Sequence, residues 1–97
     1  MSLKNTLNWE IRISDTAKKE LKRLEKQIQL RILEYITQRL EKSPYDYGKP
    51  LRGKFKGLRR YRVGDYRIIC FIDDRSLSIL LLTIGHRKNV YRLPIGG

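Results

Sequence analysis

Apolar and polar residues alternate over Trp9-Glu10-Ile11-Arg12-Ile13, the period-two signature of a strand with one buried face. Ser14 is a suitable helix N-cap, and Asp15 follows in the first turn, where the helix dipole favours an anion. Ala17, Leu21 and Leu24 then mark the apolar side of a short helix. Ile28, Ile32, Ile36 and Leu40 recur every four residues, with Leu33 and Tyr35 broadening the stripe, as in a second, longer amphipathic helix. Glu25-Lys26-Gln27 holds no strong breaker, so two helices and one bent helix both fit the periodicity. Pro44 disfavours helical geometry in the residue before it and stops the pattern near Ser43.

Tyr45 to Pro50 reads as a linker punctuated by Gly48 and Pro50. Leu51 to Gly57 carries Arg52, Lys54 and Lys56, which share a side if the segment is extended; its two glycines argue against a regular strand. Two runs rich in β-branched and aromatic residues then flank Gly64-Asp65. A glycine at the first central position suits a type II′ turn, whose twist matches that of paired strands. A two-residue turn sets the register: Val63 faces Tyr66, Arg62 faces Arg67, Tyr61 faces Ile68 and Arg60 faces Ile69. Alternation then gives Arg60, Arg62 and Arg67 a common face. Arg62 opposite Arg67 costs stability through like-charge repulsion, which fits a site prepared for an anion or a solvated face with the arginines splayed apart; three arginines on one face near a second basic cluster favour the anion. Asp73 to Ser76 turns the chain, Leu77 to Ile84 is the nearly continuous apolar run of a central strand, and Gly85 ends it. The order β-α-α-β-β-β predicts an α+β fold, a helical hairpin packed on an antiparallel sheet.

The 97 residues suit one domain, with 1–7 and 93–97 as tails, and 40% hydrophobic content is ordinary for a chain that folds. Charge changes the picture more. There are 22 Lys+Arg against 10 Asp+Glu, a formal charge of +12, which calls for a polyanionic partner. Residues 1–48 hold 10 basic and 7 acidic side chains, whereas 49–97 hold 12 and 3, so the second half carries the expected binding surface. Cys70 is the single cysteine and His86 the single histidine, which excludes a disulfide framework and the usual zinc sites. Cys70 reads as small core filler. No transmembrane helix or signal peptide is legible, and the expected location is the cytoplasm.

No Gly-rich phosphate loop, paired carboxylates or Ser/His/Asp order is present, and no metal or cofactor is called for. Arginine, lysine, tyrosine and one histidine suit a phosphodiester. Arginine presents a permanently charged planar fork to phosphate oxygens. RNA brings its own nucleophile, the 2′-OH, so an enzyme needs only a base, cations around the phosphate and a proton donor for the leaving 5′-oxygen. Gly85-His86-Arg87-Lys88-Asn89-Val90-Tyr91-Arg92 forms a second basic cluster beside an aromatic. Tyr91 is a candidate base: its reference pKa of about 10 is high, but Arg87 and Lys88 would favour phenolate. A stacking aromatic is the other reading of Tyr91. His86 is of the residue type suited to acid–base work at neutral pH, or contacts phosphate.

Leu51-Arg52-Gly53, the hairpin from Leu58 to Ile69 and the cluster from Gly85 to Arg92 together resemble the RelE branch of the RelE/ParE toxin superfamily. The resemblance runs from the Trp9 strand to Arg92. It implies the toxin of a type II toxin–antitoxin system, a ribosome-dependent mRNA endonuclease that cuts A-site codons, with a cognate antitoxin that wraps it and blocks the cleft. By position, Arg60 and Arg67 match basic residues that bind the scissile phosphate. Arg87 matches the arginine that stabilises the transition state or serves as acid, and Tyr91 the C-terminal tyrosine proposed as base. Arg62 matches a further basic position, and Lys54 and Lys56, with His86 and Lys88, are expected to contact RNA. Leu58 stands where some relatives carry another lysine, which passes that role to Lys56 or Arg60. The Arg87-to-Tyr91 spacing is shorter than in some relatives, and so little follows Arg92 that a full C-terminal helix is not expected. Two other functions share this basic surface: a ParE-like poison of DNA gyrase, and a basic RNA-binding module without catalysis.

Overall fold

The computed structural model describes residues 8–86. Arg87, Lys88 and Tyr91 lie outside the described residues, as do both expected tails. The elements are β1 (Glu10–Ile13), α1 (Asp15–Lys22), α2 (Lys26–Tyr35), β2 (Lys49–Pro50), β3 (Leu58–Val63), β4 (Tyr66–Asp73) and β5 (Ser78–His86), making two helices packed on a five-stranded sheet. The α+β class is as the sequence predicts.

Ser14 caps α1 as expected: its Oγ accepts the Ala17 N–H at 3.0 Å and donates to the Leu82 carbonyl at 2.9 Å, tying the helix start to β5. Arg23 closes α1 and Glu25, with extended backbone, opens α2, so the stripe belongs to two helices. An every-four repeat drifts by about 40° per step on an α-helix. A π-helical turn over Ile36–Leu40, with the Glu41 N–H bonded to the Ile36 carbonyl at 2.9 Å, takes up that drift, and both Ile36 and Leu40 are buried.

The sheet order is β1-β5-β4-β3-β2, so the apolar β5 is an interior strand between β1 and β4, while β4 holds the central place. The expectation of an antiparallel sheet is corrected at one edge: β1 pairs with β5 in parallel, Glu10 with Ser78 through Ile13 with Leu81. The cause is the two-residue strand β2, hidden inside the expected linker. It adds one more reversal before β3, so β5 ends up running with β1 rather than against it.

The hairpin register is as predicted, from Val63 opposite Tyr66 to Arg60 opposite Ile69. Gly64 has φ +61 and Asp65 does not enter the left-handed region, as a type II′ turn requires. Tyr61, Val63, Ile68 and Cys70 pack with Ala17, Ile32, Ile36 and Leu40 in the core between sheet and helices. Burial drives the Cys70 thiol pKa far up and keeps it neutral, in line with a core filler.

β5 departs from strict alternation. Ile69 pairs with Thr83 and Cys70 with Leu81, leaving Leu82 as an extra residue, a β-bulge. The core positions therefore run Ile79, Leu81, Ile84. Beside the bulge, where β1 has ended, Glu20 of α1 reaches the sheet edge. Its Oε1 accepts the Thr83 hydroxyl at 2.6 Å and the Ile84 N–H at 2.8 Å. The strand also continues through Gly85 and His86, where the sequence predicts its end.

Candidate nucleic-acid interface

Because directly opposed residues of antiparallel strands share a face, the register builds a basic wall on the side of the sheet away from the helices. One row is Lys49, Arg60, Ile69 and Thr83; the next is Arg62, Arg67 and Gly85. Arg62 is exposed, while Arg60 and Arg67 are half-buried. A Cβ added to Gly85 would meet nothing within 4 Å, so the row ends beside Arg67 in open space. Lys49 is a member that sequence reading misses. It becomes a neighbour of Arg60 only through β2, and two residues ending in proline carry no strand signal.

Other predicted residues lie elsewhere. His86 pairs with Tyr66, and the rings meet edge-to-face with centroids 5.7 Å apart. The bulge puts His86 in line with Ile84, on the helix side, away from the three arginines. Lys54 and Lys56 are exposed on the β2–β3 loop, next to Leu58, whereas Arg62 and Arg67 flank the turn at the far end of β3. That loop is not extended. Gly53 and Gly57 take φ +65 and +97 around a 3₁₀ turn over Gly53–Phe55, so Arg52, Lys54 and Lys56 do not line one side. Lys54 Nζ rests 5.3 Å from the Phe55 ring centre.

Arg59, adjacent in sequence to this wall, does a different job. Alternation turns it to the Tyr61 side, where its Nε and Nη2 donate to the Tyr47 carbonyl at 2.9 and 2.7 Å, and Nη2 also reaches the Tyr45 carbonyl at 3.2 Å. Its guanidinium lies 5.5 Å from the Tyr45 ring centre. Arg59 thus holds the chain from α2 to β2 against the sheet. The alternation that groups Arg60 with Arg62 already sets Arg59 with Tyr61 and Val63 on the opposite face. Below it, Tyr61 Oη donates to the Pro44 carbonyl at 2.7 Å, and burial drives the Tyr61 pKa well above the ordinary tyrosine value.

At the outer edge of β3, Tyr35, Tyr47, Gly48, Lys49, Arg60 and Arg62 line a pocket of ≈ 210 Å³. Burial raises the Tyr35 pKa, against the opposing pull of the Arg39 guanidinium. Arginines on one face can neutralise a phosphodiester and hold its oxygens by charge-assisted hydrogen bonds. Among the described residues no group of three or more His, Cys, Asp or Glu could hold a metal ion, and no helix is long and apolar enough to cross a membrane.

Comparison with known proteins agrees with this architecture. Residues 11–91 match the family described as the ParE toxin of the type II toxin–antitoxin system parDE. Toxin RelE of Mycobacterium tuberculosis is 34% identical over 85 residues, covering 88% of this chain and 88% of that protein. Toxin RelG of the same organism is 32% identical over 84 residues, covering 87% and 97%. Among solved structures, the M. tuberculosis toxin–antitoxin complex RelBE2 contains a chain that superposes with a TM-score of 0.79 at 31% identity, covering 84% of this chain and 93% of that one. The archaeal RelE–RelB complex of Pyrococcus horikoshii gives 0.69 at 29% identity, covering 81% and 94%. The chain therefore belongs to the RelE/ParE superfamily, as a RelE-type toxin of a type II toxin–antitoxin system.

Proposed function

We propose that this toxin is a ribosome-dependent endoribonuclease that cuts mRNA within A-site codons. The observation that carries the reading is the common face of Arg60, Arg62 and Arg67 across the β3–β4 turn. In the proposed reaction the RNA 2′-oxygen bonds to the adjacent phosphorus while the bond from phosphorus to the 5′-oxygen breaks, leaving a cyclic phosphate and a free 5′-hydroxyl. Arg60 and Arg67 grip the non-bridging oxygens, and Arg62 adds to the field in which negative charge builds up. Arg87 stabilises the dianionic phosphorane or protonates the leaving oxygen, and Tyr91 takes the 2′-OH proton. No step is assigned to a metal ion.

Lys54 and Lys56, at the other end of β3, and His86 and Lys88 contact flanking RNA. The ribosome supplies what a row of cations lacks, a fixed RNA backbone with its 2′-OH aimed at phosphorus. Translating ribosomes place this activity in the cytoplasm. Relatives of known structure occur as RelE–RelB complexes, and a cognate antitoxin is assigned here as well, acidic where it covers the basic wall.

Primer extension on a message incubated with the toxin, in the presence and in the absence of translating ribosomes, tests the reading. Cuts within codons that require ribosomes are expected, lost in Arg67→Ala and Arg87→Ala while both variants stay folded. Intact message with accumulating gyrase–DNA complexes would overturn the proposal in favour of gyrase poisoning.

A further inference from the structure

The pocket at the outer edge of β3 exists because β2 is so short. It pairs only as Lys49 with Arg60 and Pro50 with Arg59, so the edge of β3 beyond Arg60 has no neighbouring strand among the described residues. Gly48 turns the chain away at that point with φ +70, sending Tyr47 over the end of α2. There the Tyr47 ring meets Tyr35 at a centroid distance of 6.4 Å and an interplanar angle of 67°, so the two rings do not stack on each other. Arg39 stands 5.3 Å from the Tyr35 ring centre and 5.7 Å from that of Tyr47. Lys49, Arg60 and Arg62 complete the rim. The pocket thus joins two aromatic rings to a ring of cations, and Tyr47 is 37% exposed.

We infer that this pocket is a subsite for one unstacked nucleobase of single-stranded RNA, with Tyr47 as the stacking platform and Lys49 and Arg62 on the adjoining phosphate. The inference rests on the RNA-cleaving function proposed above. Its size supports a base rather than a whole nucleotide, since ≈ 210 Å³ falls below the roughly 300–1,000 Å³ of pockets that enclose larger ligands. Its chemistry fits as well, because every base has a π-face for an aromatic ring and every nucleotide a phosphate for a cation. The pocket shares Arg60 and Arg62 with the arginine wall, so a base held there is within a short stretch of backbone of the phosphate on that wall. Such capture pins the neighbouring sugar and restricts rotation of its 2′-OH, which favours in-line attack. Tyr47, Lys49 and Tyr35 would then be positioning residues rather than catalytic ones.

The test is binding of a fluorescent single-stranded RNA hexamer with 2′-O-methyl riboses, which cannot be cut, alongside hexamers carrying one abasic nucleotide. Wild-type protein should lose affinity when one particular base is removed. Tyr47→Ala should bind the intact hexamer roughly tenfold more weakly and show no further loss at that abasic position. Tyr47→Phe, which keeps the ring, should behave as wild type. Lys49→Gln should lower the salt dependence of binding by about one unit of slope and keep the abasic penalty. Binding of Tyr47→Ala within twofold of wild type, an abasic penalty that survives in it, or no measurable hexamer binding by wild type would overturn the subsite. The outcomes separate the two proposals. Ribosome-dependent cutting without a Tyr47 effect sinks only the subsite, and a Tyr47 effect in a protein that never cuts a translated message sinks only the nuclease.

Discussion

Arg62 stands directly opposite Arg67 across the two-residue turn, with both side chains on the face of the sheet away from the helices. Opposed like charges on a strand pair cost a few tenths to about 1 kcal/mol. Arg62→Thr, which removes the charge and puts a strand-compatible β-branched residue there, should therefore stabilise the free protein by at least that amount in denaturant melts while lowering ribosome-dependent cleavage. Added salt should raise the melting temperature of the wild type more than that of the variant, because screening relieves a repulsion only the wild type has. Equal stability in the two proteins at low salt would show that the arginines do not oppose each other.

Gly48 makes the bend that frees the edge of β3. An added Cβ would run into the Arg60 carbonyl and lie 2.7 Å from Tyr61 Cδ1, at a φ of +70. Gly48→Ala should cost about 3 kcal/mol, adding backbone strain to overpacking against Tyr61. Gly53→Ala is the control: φ is similar at +65, but nothing lies within 4 Å of the new methyl, so only the backbone cost of about 1–2 kcal/mol remains. Urea unfolding of both variants reads the difference, and equal losses would mean that the close approach carries no energy.

Glu20 serves the open edge of β5 as a missing strand would, accepting from the Ile84 N–H and the Thr83 hydroxyl. Glu20→Ala leaves both donors without that acceptor and should cost about 1–3 kcal/mol. The site-specific readout is amide exchange, which should accelerate at Ile84 while Ile68, opposite it on β4, keeps its protection. Unchanged exchange at Ile84 would contradict the contact.

Stability should fall in alkali. Tyr61 is held neutral by burial, with its folded pKa raised above the unfolded value of about 10. Its contribution is complete below pH 10. It is lost as pH climbs from there toward the folded pKa, because only the unfolded chain releases the proton in that window. The slope from this one group approaches about 1.4 kcal/mol per pH unit. Tyr61→Phe should lose the Pro44 hydrogen bond at neutral pH yet show a flatter decline above pH 10. The raised Cys70 thiol acts in the same direction from a lower starting pH, so Cys70→Ala should flatten the curve between about pH 9 and 10. Parallel pH–stability curves for wild type and Tyr61→Phe would show that the phenol is not held neutral.

Features governed by short-range physics are legible in the order of the amino acids. A glycine able to take φ +61 at a two-residue turn sets the hairpin register, and period-two alternation then puts Arg60, Arg62 and Arg67 on one face without reference to the rest of the chain. The Ser14 cap and the repeating isoleucines of α2 are equally local. Tertiary structure alone decided the rest, because each remaining feature joins segments far apart in the chain. The parallel seam of β1 and β5, the seat of Lys49 beside Arg60 and the reach of Glu20 to Ile84 all depend on which strand edge is left to be covered. The one-residue bulge at Leu82 shows the limit most sharply. Alternation continued from Ile79 and Leu81 would turn His86 toward the arginines, and a single unpaired residue turns it to the other side of the sheet.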